Sequence, residues 1–205
     1  LDFTIFSQDF FYKLYIKNKK FFYKSYEIYV DTVCNIFKEV GININTVPVL
    51  DIRRKNSHNV IGNRSYSRNF KKVIKLGNIC IDLYNKNKVA TVAKHVPGHG
   101  LAKSDSHYNT PIVTAKKEKL ISKDFKVFKK SKSLFFMTAH VVYTSFDKIN
   151  TATHSKVIIS KIIRGYINFK GLIISDDISM KSLKLDLLTN AKNALSAGCN
   201  LVLHC

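Results

Sequence analysis

"VATVAKH", Val89–His95, is the stretch on which the fold turns. It is an almost unbroken apolar run that ends in a lysine and a histidine, and it reads as a buried strand with titratable groups at its C-terminal end. The residues before it, near Ser67 to Asn85, place Phe70, Val73, Ile74, Ile79, Cys80 and Leu83 at helical spacing. Before that helix stands "INTVPVLDI" (Ile44–Ile52), a short apolar run closing on Asp51. Earlier still, a helix near Ser25 to Val40 carries Ile28, Val33, Ile36, Phe37 and Val40 on one stripe and stops at Gly41. Downstream, "KKEKLISKDFKVFKK" (Lys116–Lys130) sets Leu120, Ile121, Phe125 and Phe128 against an outer lysine face. Then come "SLFFMTAHVVY" as a strand, a helix near Ser155 to Gly165, "GLIISDD" (Gly171–Asp177) as a strand, a helix over Leu187 to Ala197, and a last strand "NLVLHC".

Strand alternating with helix, with strands apolar along their whole length, predicts a parallel sheet covered by helices, an α/β fold. Polar residues gather just after the strands: Asp51, then Lys94 and His95, then His140, then Asp176 and Asp177. Functional groups at the C-terminal ends of several strands mark a (β/α)8 TIM-barrel type. An open doubly wound sheet would favour a glycine-rich phosphate turn after an early strand, and the sequence has none. Five strands are visible, whereas a full barrel needs about 250 residues. The expectation is a single domain over residues 1–205 that forms an incomplete barrel.

Composition narrows the function classes. The longest apolar runs are far below the length of a membrane span, which excludes a helical membrane anchor within these residues. The first residues lack the basic start and small-residue cleavage site of a leader, and no initiator Met is present, so the chain is expected to begin part-way through its parent. The four cysteines (Cys34, Cys80, Cys199, Cys205) stand far apart without a C-x-x-C pair, and are read as core thiols in a reducing compartment. Net charge is +20, carried by 29 Lys and only five Arg. Base-reading surfaces favour Arg for its forked donors, and here the lysines are spread over most segments. The reading is a solvated cationic surface; an anionic partner such as nucleic acid is the alternative.

The loop after the Val89–His95 strand concentrates scarce residues. "KHVPGHGLAKSDSHYNTP" (Lys94–Pro111) holds three of the seven His, two of the eight Gly and two of the three Pro. Within it, Asp105 stands two residues before His107, a spacing that lets a carboxylate hold an imidazole in one tautomer and stabilise the imidazolium. Asp176 closes a buried strand with Asp177 beside it. Alternate side chains point to opposite faces, so one acid faces the barrel mouth while the other binds backbone, or both serve to cap the next helix. Arg64 in "IGNRSYS", with Lys94 and His95, adds donors for hydroxyl or carboxylate groups. A carboxylate nucleophile, a protonatable His and a set of donors suit glycosyl transfer to water through a covalent intermediate.

Five blocks together resemble one family. "AKHVPGHG…DSH" is similar to the K-H-F-P-G-H-G…D-S-H signature of family 3 glycoside hydrolases of the β-N-acetylhexosaminidase branch. "VPVLDI" followed by "IGNRSYS", "MTAHVVY" and "GLIISDDISM" resemble further segments of that branch, in family order, from about Ser25 to Cys205. Asn63 departs from the usual acid before the Arg, Thr138 from Pro and Val96 from Phe. The resemblance implies a retaining enzyme of cytoplasmic, bacterial cell-wall recycling, with Asp176 as nucleophile, His107 as acid/base and Asp105 as its partner. It assigns Arg64, Lys94 and His95 to holding the sugar. The substrate it implies is a muropeptide or related oligosaccharide with terminal β-linked N-acetylglucosamine. No cofactor, metal, nucleic-acid or membrane partner is expected, and a monomer is. The family's early strands, with an Asp-x-Glu-Gly-Gly-x-x-Arg segment, and its last strand are not found in these residues. Open alternatives are an inactive remnant of such an enzyme, a nucleic-acid binder, and phosphorolysis in place of hydrolysis.

Overall fold

The computed structural model describes residues 5–55 and 60–205. Seven strands are present among them: β1 (Ile44–Asn45), β2 (Ala90–Val96), β3 (Ile112–Val113), β4 (Phe135–Thr138), β5 (Val142–Tyr143), β6 (Leu172–Asp177) and β7 (Leu201–Leu203). Five form one parallel sheet in the order β1-β2-β4-β6-β7, and β3 and β5 form a separate parallel pair. The order in the large sheet never reverses, so there is no switch point of the doubly wound kind. Five sequential parallel strands with helical crossovers are a curled section of a (β/α) barrel, as the sequence predicts.

"SLFFMTAHVVY" is two strands rather than one. β4 ends at Thr138, and β5 leaves the large sheet to pair with β3. The break falls at Ala139–Val141, all buried, so continuous hydrophobicity hides a change of partner. "INTVPVLDI" is likewise laddered only at Ile44–Asn45, with Val49 bridging Lys94 further on.

Two helices precede the sheet. α1 (Gln8–Lys17) is capped by Ser7, whose hydroxyl accepts the Phe10 N–H at 3.2 Å; α2 (Lys19–Glu39) is capped by Asn18, which accepts the Phe21 N–H at 3.0 Å. The sequence reading begins α2 too late and has no α1, because aromatic and lysine residues alternate there without one clean stripe. The fully buried face of α2 is Phe22, Tyr26, Val30 and Cys34, a step of four; of the expected stripe, Val33 and Phe37 are half-buried against the core, while Ile28, Ile36 and Val40 are exposed. Aromatic contacts with α1 select that face, Phe11 against Tyr26 at 4.3 Å and Tyr15 against Phe22 at 5.2 Å between ring centroids. α1 also closes the outer edge of the sheet. The Gln8 carboxamide donates to the Val49 carbonyl and accepts the Val49 N–H, each at 2.8 Å, as a neighbouring strand would.

α3 (Phe70–Lys86) buries Val73, Leu76, Cys80, Ile81 and Tyr84 against the sheet. The lysine-rich helix over 117–129 has a π-type stretch at Leu120–Asp124, and its Leu120, Phe125 and Phe128 are buried as expected. A π-type helix (Ile158–Tyr166) and a last helix (Leu187–Ala197) cover β6 and β7, the latter ending at Gly198 in a left-handed conformation. Cys34, Cys80 and Cys199 are buried free thiols, whereas Cys205 is exposed, contrary to the core assignment for all four. No helix among the described residues is long and apolar enough to cross a membrane.

Candidate active site

The C-terminal ends of β2 and β6 both carry a register shift. Along β2 and β4 the pairing passes from Lys94↔Met137 to Val96↔Thr138, leaving His95 as the extra residue. Along β6 and β7 it passes from Ile174↔Leu201 to Asp177↔Leu203, so Ser175 and Asp176 stand opposite one residue. Such shifts re-aim side chains, and here they fall on the residues that the sequence marks. The Lys94–His95 peptide is cis.

Asp51, fully buried at the end of the β1 segment, organises the floor. Its carboxylate meets His95 Nδ1 at 2.7 Å and accepts the backbone N–H of His99 at 2.6 Å and of His95 at 3.3 Å. Burial alone would raise its pKa, but His95 and the His99 N–H outweigh burial and hold it below the ordinary value, so it stays ionised. With Nδ1–H given to Asp51, His95 turns Nε2 toward Asp176 Oδ2 at 3.9 Å, beyond hydrogen-bond reach. The loop that carries His99 needs its glycines. Gly98 sits at φ +137°, and a Cβ on Gly100 would lie 2.1 Å from the Ile52 carbonyl oxygen.

Asp176 and Asp177 part company, as strand alternation requires. Asp177 accepts from the Ser179 N–H (2.9 Å), the Ser179 hydroxyl (2.6 Å) and the Cys205 N–H (3.4 Å). Asp176 instead faces a cavity of about 270 Å³ lined by Arg64, Lys94, His95, His99, His107 and Met180, among others. Its Oδ1 accepts the Asp177 N–H at 3.0 Å. Burial pushes its pKa up, yet His95, His140, that N–H and Lys94 more than offset it, and the carboxylate is held below its ordinary value. Beneath it, buried His140 donates Nε2–H to the Asp177 carbonyl (2.9 Å), so its Nδ1 accepts the Thr153 hydroxyl (2.7 Å).

In the same cavity lining, His107 Nδ1 lies 2.6 Å from Asp105 Oδ1, which also accepts the His107 N–H at 2.9 Å. The His107 side chain is 58% exposed, so its Nε2 side is open to an entering molecule. Lys94 reaches Thr46 Oγ1 at 3.1 Å; burial, then the nearby Arg64 cation, lower its pKa against the pull of Asp176 and Asp51. All six residues singled out in the sequence therefore meet here, five lining the cavity and Asp105 behind His107. His99 was not among them, and Asp51 was marked only as a polar group at a strand end, without a role. That role depends on a loop 44 residues away. The arrangement presents an ionised carboxylate and a carboxylate-held imidazole to one polar cavity between cationic side chains.

A model of the glycosyl hydrolase family 3 N-terminal domain matches residues 30–205. The beta-hexosaminidase of Haemophilus influenzae is 36% identical over 172 residues, covering 81% of this chain and 48% of its own length. That of Actinobacillus pleuropneumoniae serotype 5b is 34% identical over 172 residues, 81% of this chain and 49% of its own. Among solved structures, NagZ from Neisseria gonorrhoeae in complex with N-trifluoroacetyl-D-glucosamine matches with a TM-score of 0.87 at 29% identity, over 97% of this chain and 59% of that one. A family 3 beta-N-acetylglucosaminidase from Paenibacillus sp. str. FPU-7 matches with a TM-score of 0.79 at 31% identity, over 82% of this chain and 33% of that one. The chain spans about half the length of the curated relatives it matches. A carboxylate and a histidine facing one cavity at the C-terminal ends of sequential parallel strands, together with a family match over most of the length, place this chain in glycosyl hydrolase family 3, within its N-terminal domain.

Proposed function

We propose that the protein to which this chain belongs is a retaining β-N-acetylhexosaminidase that removes terminal β-linked N-acetylglucosamine from muropeptide-like oligosaccharides. The observation that carries the reading is that Asp176 and His107 line the same cavity, one ionised and the other held by Asp105 at 2.6 Å. In the first step the Asp176 carboxylate attacks the anomeric carbon. The bond to the leaving oxygen breaks, and the His107 imidazolium gives that oxygen its Nε2 proton. The sugar is then an ester of Asp176. Water attacks the same carbon, now-neutral His107 takes the water's proton, and the Asp176 carboxylate is released. Asp105 accepts Nδ1–H throughout, which keeps Nε2 as the working nitrogen. Arg64, Lys94 and His95, which line the same cavity, hold the sugar hydroxyls.

The test is turnover of aryl N-acetyl-β-glucosaminides by the intact protein. Asp176→Ala is expected to abolish it with every leaving group. His107→Ala is expected to lower the first step about 100-fold or more for a poor leaving group, which needs the proton, and far less for a good one. Equal losses for both leaving groups would remove His107 from the role. Folded intact protein without turnover would favour the inactive-remnant alternative.

A further inference from the structure

The loop bearing His107 is fastened to the segment after Asp176 at a single residue. Ser182, six residues beyond Asp176, donates its N–H to the Ser106 carbonyl at 3.2 Å and accepts the Thr110 hydroxyl on its own carbonyl at 2.7 Å. The two attachments therefore bracket His107, one residue before it and three after. Between them the chain makes a turn closed by Asp105, whose carbonyl accepts the N–H groups of Tyr108 (3.2 Å) and Asn109 (3.0 Å). Ser106 and Ser182 are buried, while Tyr108 at the tip of the turn is exposed. The Ser182 end is itself rigid. Met180 N–H donates to the Asp177 carbonyl (3.2 Å), Leu183 N–H to the Met180 carbonyl (3.0 Å), and Ile178 N–H to the Leu203 carbonyl of β7 (2.9 Å). Beyond Thr110, Pro111 accepts the Val142 N–H at 2.9 Å, and the β3–β5 pair fixes the chain from there on.

We infer that Thr110 is a positioning residue. Its hydroxyl latches the His107 turn onto the Asp176 segment, and so fixes the separation of the two groups across the cavity. Among the described residues, this hydroxyl is the turn's side-chain hydrogen bond to that segment, and it rests on the carbonyl of buried Ser182. Removing the hydroxyl leaves the carbonyl of buried Ser182 without that donor. The turn would then keep the Ser106–Ser182 bond and its Asp105 closure, with the Pro111–Val142 bond beyond it. The inference rests on the proposed roles of Asp176 and His107 for its catalytic consequence, but the latch itself does not.

The experiment therefore has two arms on the intact protein. In the first, Thr110→Val and Thr110→Ser are compared with the parent for trypsin cleavage at Lys103 and for amide exchange at Ser182, with thermal melting as a check on folding. Thr110→Val is expected to be cleaved at least about tenfold faster and to lose protection at Ser182, while Thr110→Ser, which keeps the hydroxyl, matches the parent. In the second, kcat/KM of Thr110→Val is expected to fall about tenfold or more for a poor leaving group and much less for a good one, again restored by Thr110→Ser. Unchanged cleavage and exchange in Thr110→Val, or a freely exchanging Ser182 amide in the parent, would overturn the latch. A changed first arm with equal losses for both leaving groups would keep the latch and overturn its catalytic part. Should the parent turn over neither substrate, the proposed function fails while the first arm still decides the latch.

Discussion

His99 shows how a single buried imidazole couples this site to pH. Its backbone N–H is given to Asp51, and its ring lies 5.7 Å from that of His95. Burial, only partly relieved by the nearby Asp51 carboxylate, pushes its pKa down to about 4 from an ordinary 6.5. Between those two values the unfolded chain binds a proton that the folded chain does not, so stability falls as pH falls through this window and levels out below about 4. The full effect is about 3 kcal/mol. His99→Gln is therefore expected to lose less stability than the parent between pH 7 and pH 4.5, measured by urea unfolding. His140 and His154 are shifted in the same direction and stay in both proteins, so the difference isolates His99. Parallel pH profiles would show that His99 is not held neutral by burial. The same residue marks a limit of sequence reading. Asp105 and His107 are legible because they are two positions apart, while Asp51 and His99 are joined only by the folded approach of β1 and β2.

Among the elements, the loop after β2 explains why a short strand can support so much chemistry. It leaves the sheet at a register shift, turns at Gly98, passes the Ile52 carbonyl at Gly100, and comes back to β3. No side chain fits at Gly100 without moving backbone, since the added carbon would sit 2.1 Å from one oxygen and 3.0 Å from the carbonyl carbon. Gly100→Ala is expected to destabilise the protein by about 1–3 kcal/mol. Because the displaced strand segment bears Asp51, the substitution should also lower turnover at unchanged protein concentration. A stability within about 0.5 kcal/mol of the parent, by urea unfolding, would mean that the loop yields where the geometry says it cannot. Element order and the buried strands were readable because parallel strands, covered on both sides, are apolar along their length. The helix faces were less so. In α2 nearly every turn offers an apolar or aromatic side chain in more than one direction, and contacts with Phe11 and Tyr15 of α1 decide between Tyr26 and Ile28. The division of "SLFFMTAHVVY" between two sheets had no local signal, since the residues on either side of the break, Phe136–Thr138 and Val142–Tyr143, are all buried.

For the molecule as a whole, the governing quantity is charge. A balance of +20 on 205 residues places cations on nearly every helix, and the ion pairs among the described residues are few beside that excess. Lys13–Asp9, Lys86–Glu27 and Lys132–Asp82 all leave the lysine well exposed, and pairs of that kind contribute about 0–1 kcal/mol. Repulsion among the remaining lysines acts over longer distances and opposes the compact state. Added salt screens both, but not equally. From about 10 mM to about 100 mM the screening length falls from about 30 Å to about 10 Å, which removes long-range repulsion while leaving contacts near 3 Å mostly intact. Salt is therefore expected to stabilise this protein. A gain near 1 kcal/mol corresponds to a Tm about 2–4 °C higher for a chain of this size. Thermal melting in sodium chloride over that range, with sodium fluoride alongside to separate screening from specific chloride binding, measures it. A Tm that stays level or drops in both salts would mean that the lysine excess is already neutralised by local pairing, and that the spread of lysines over the surface has no energetic weight in the fold.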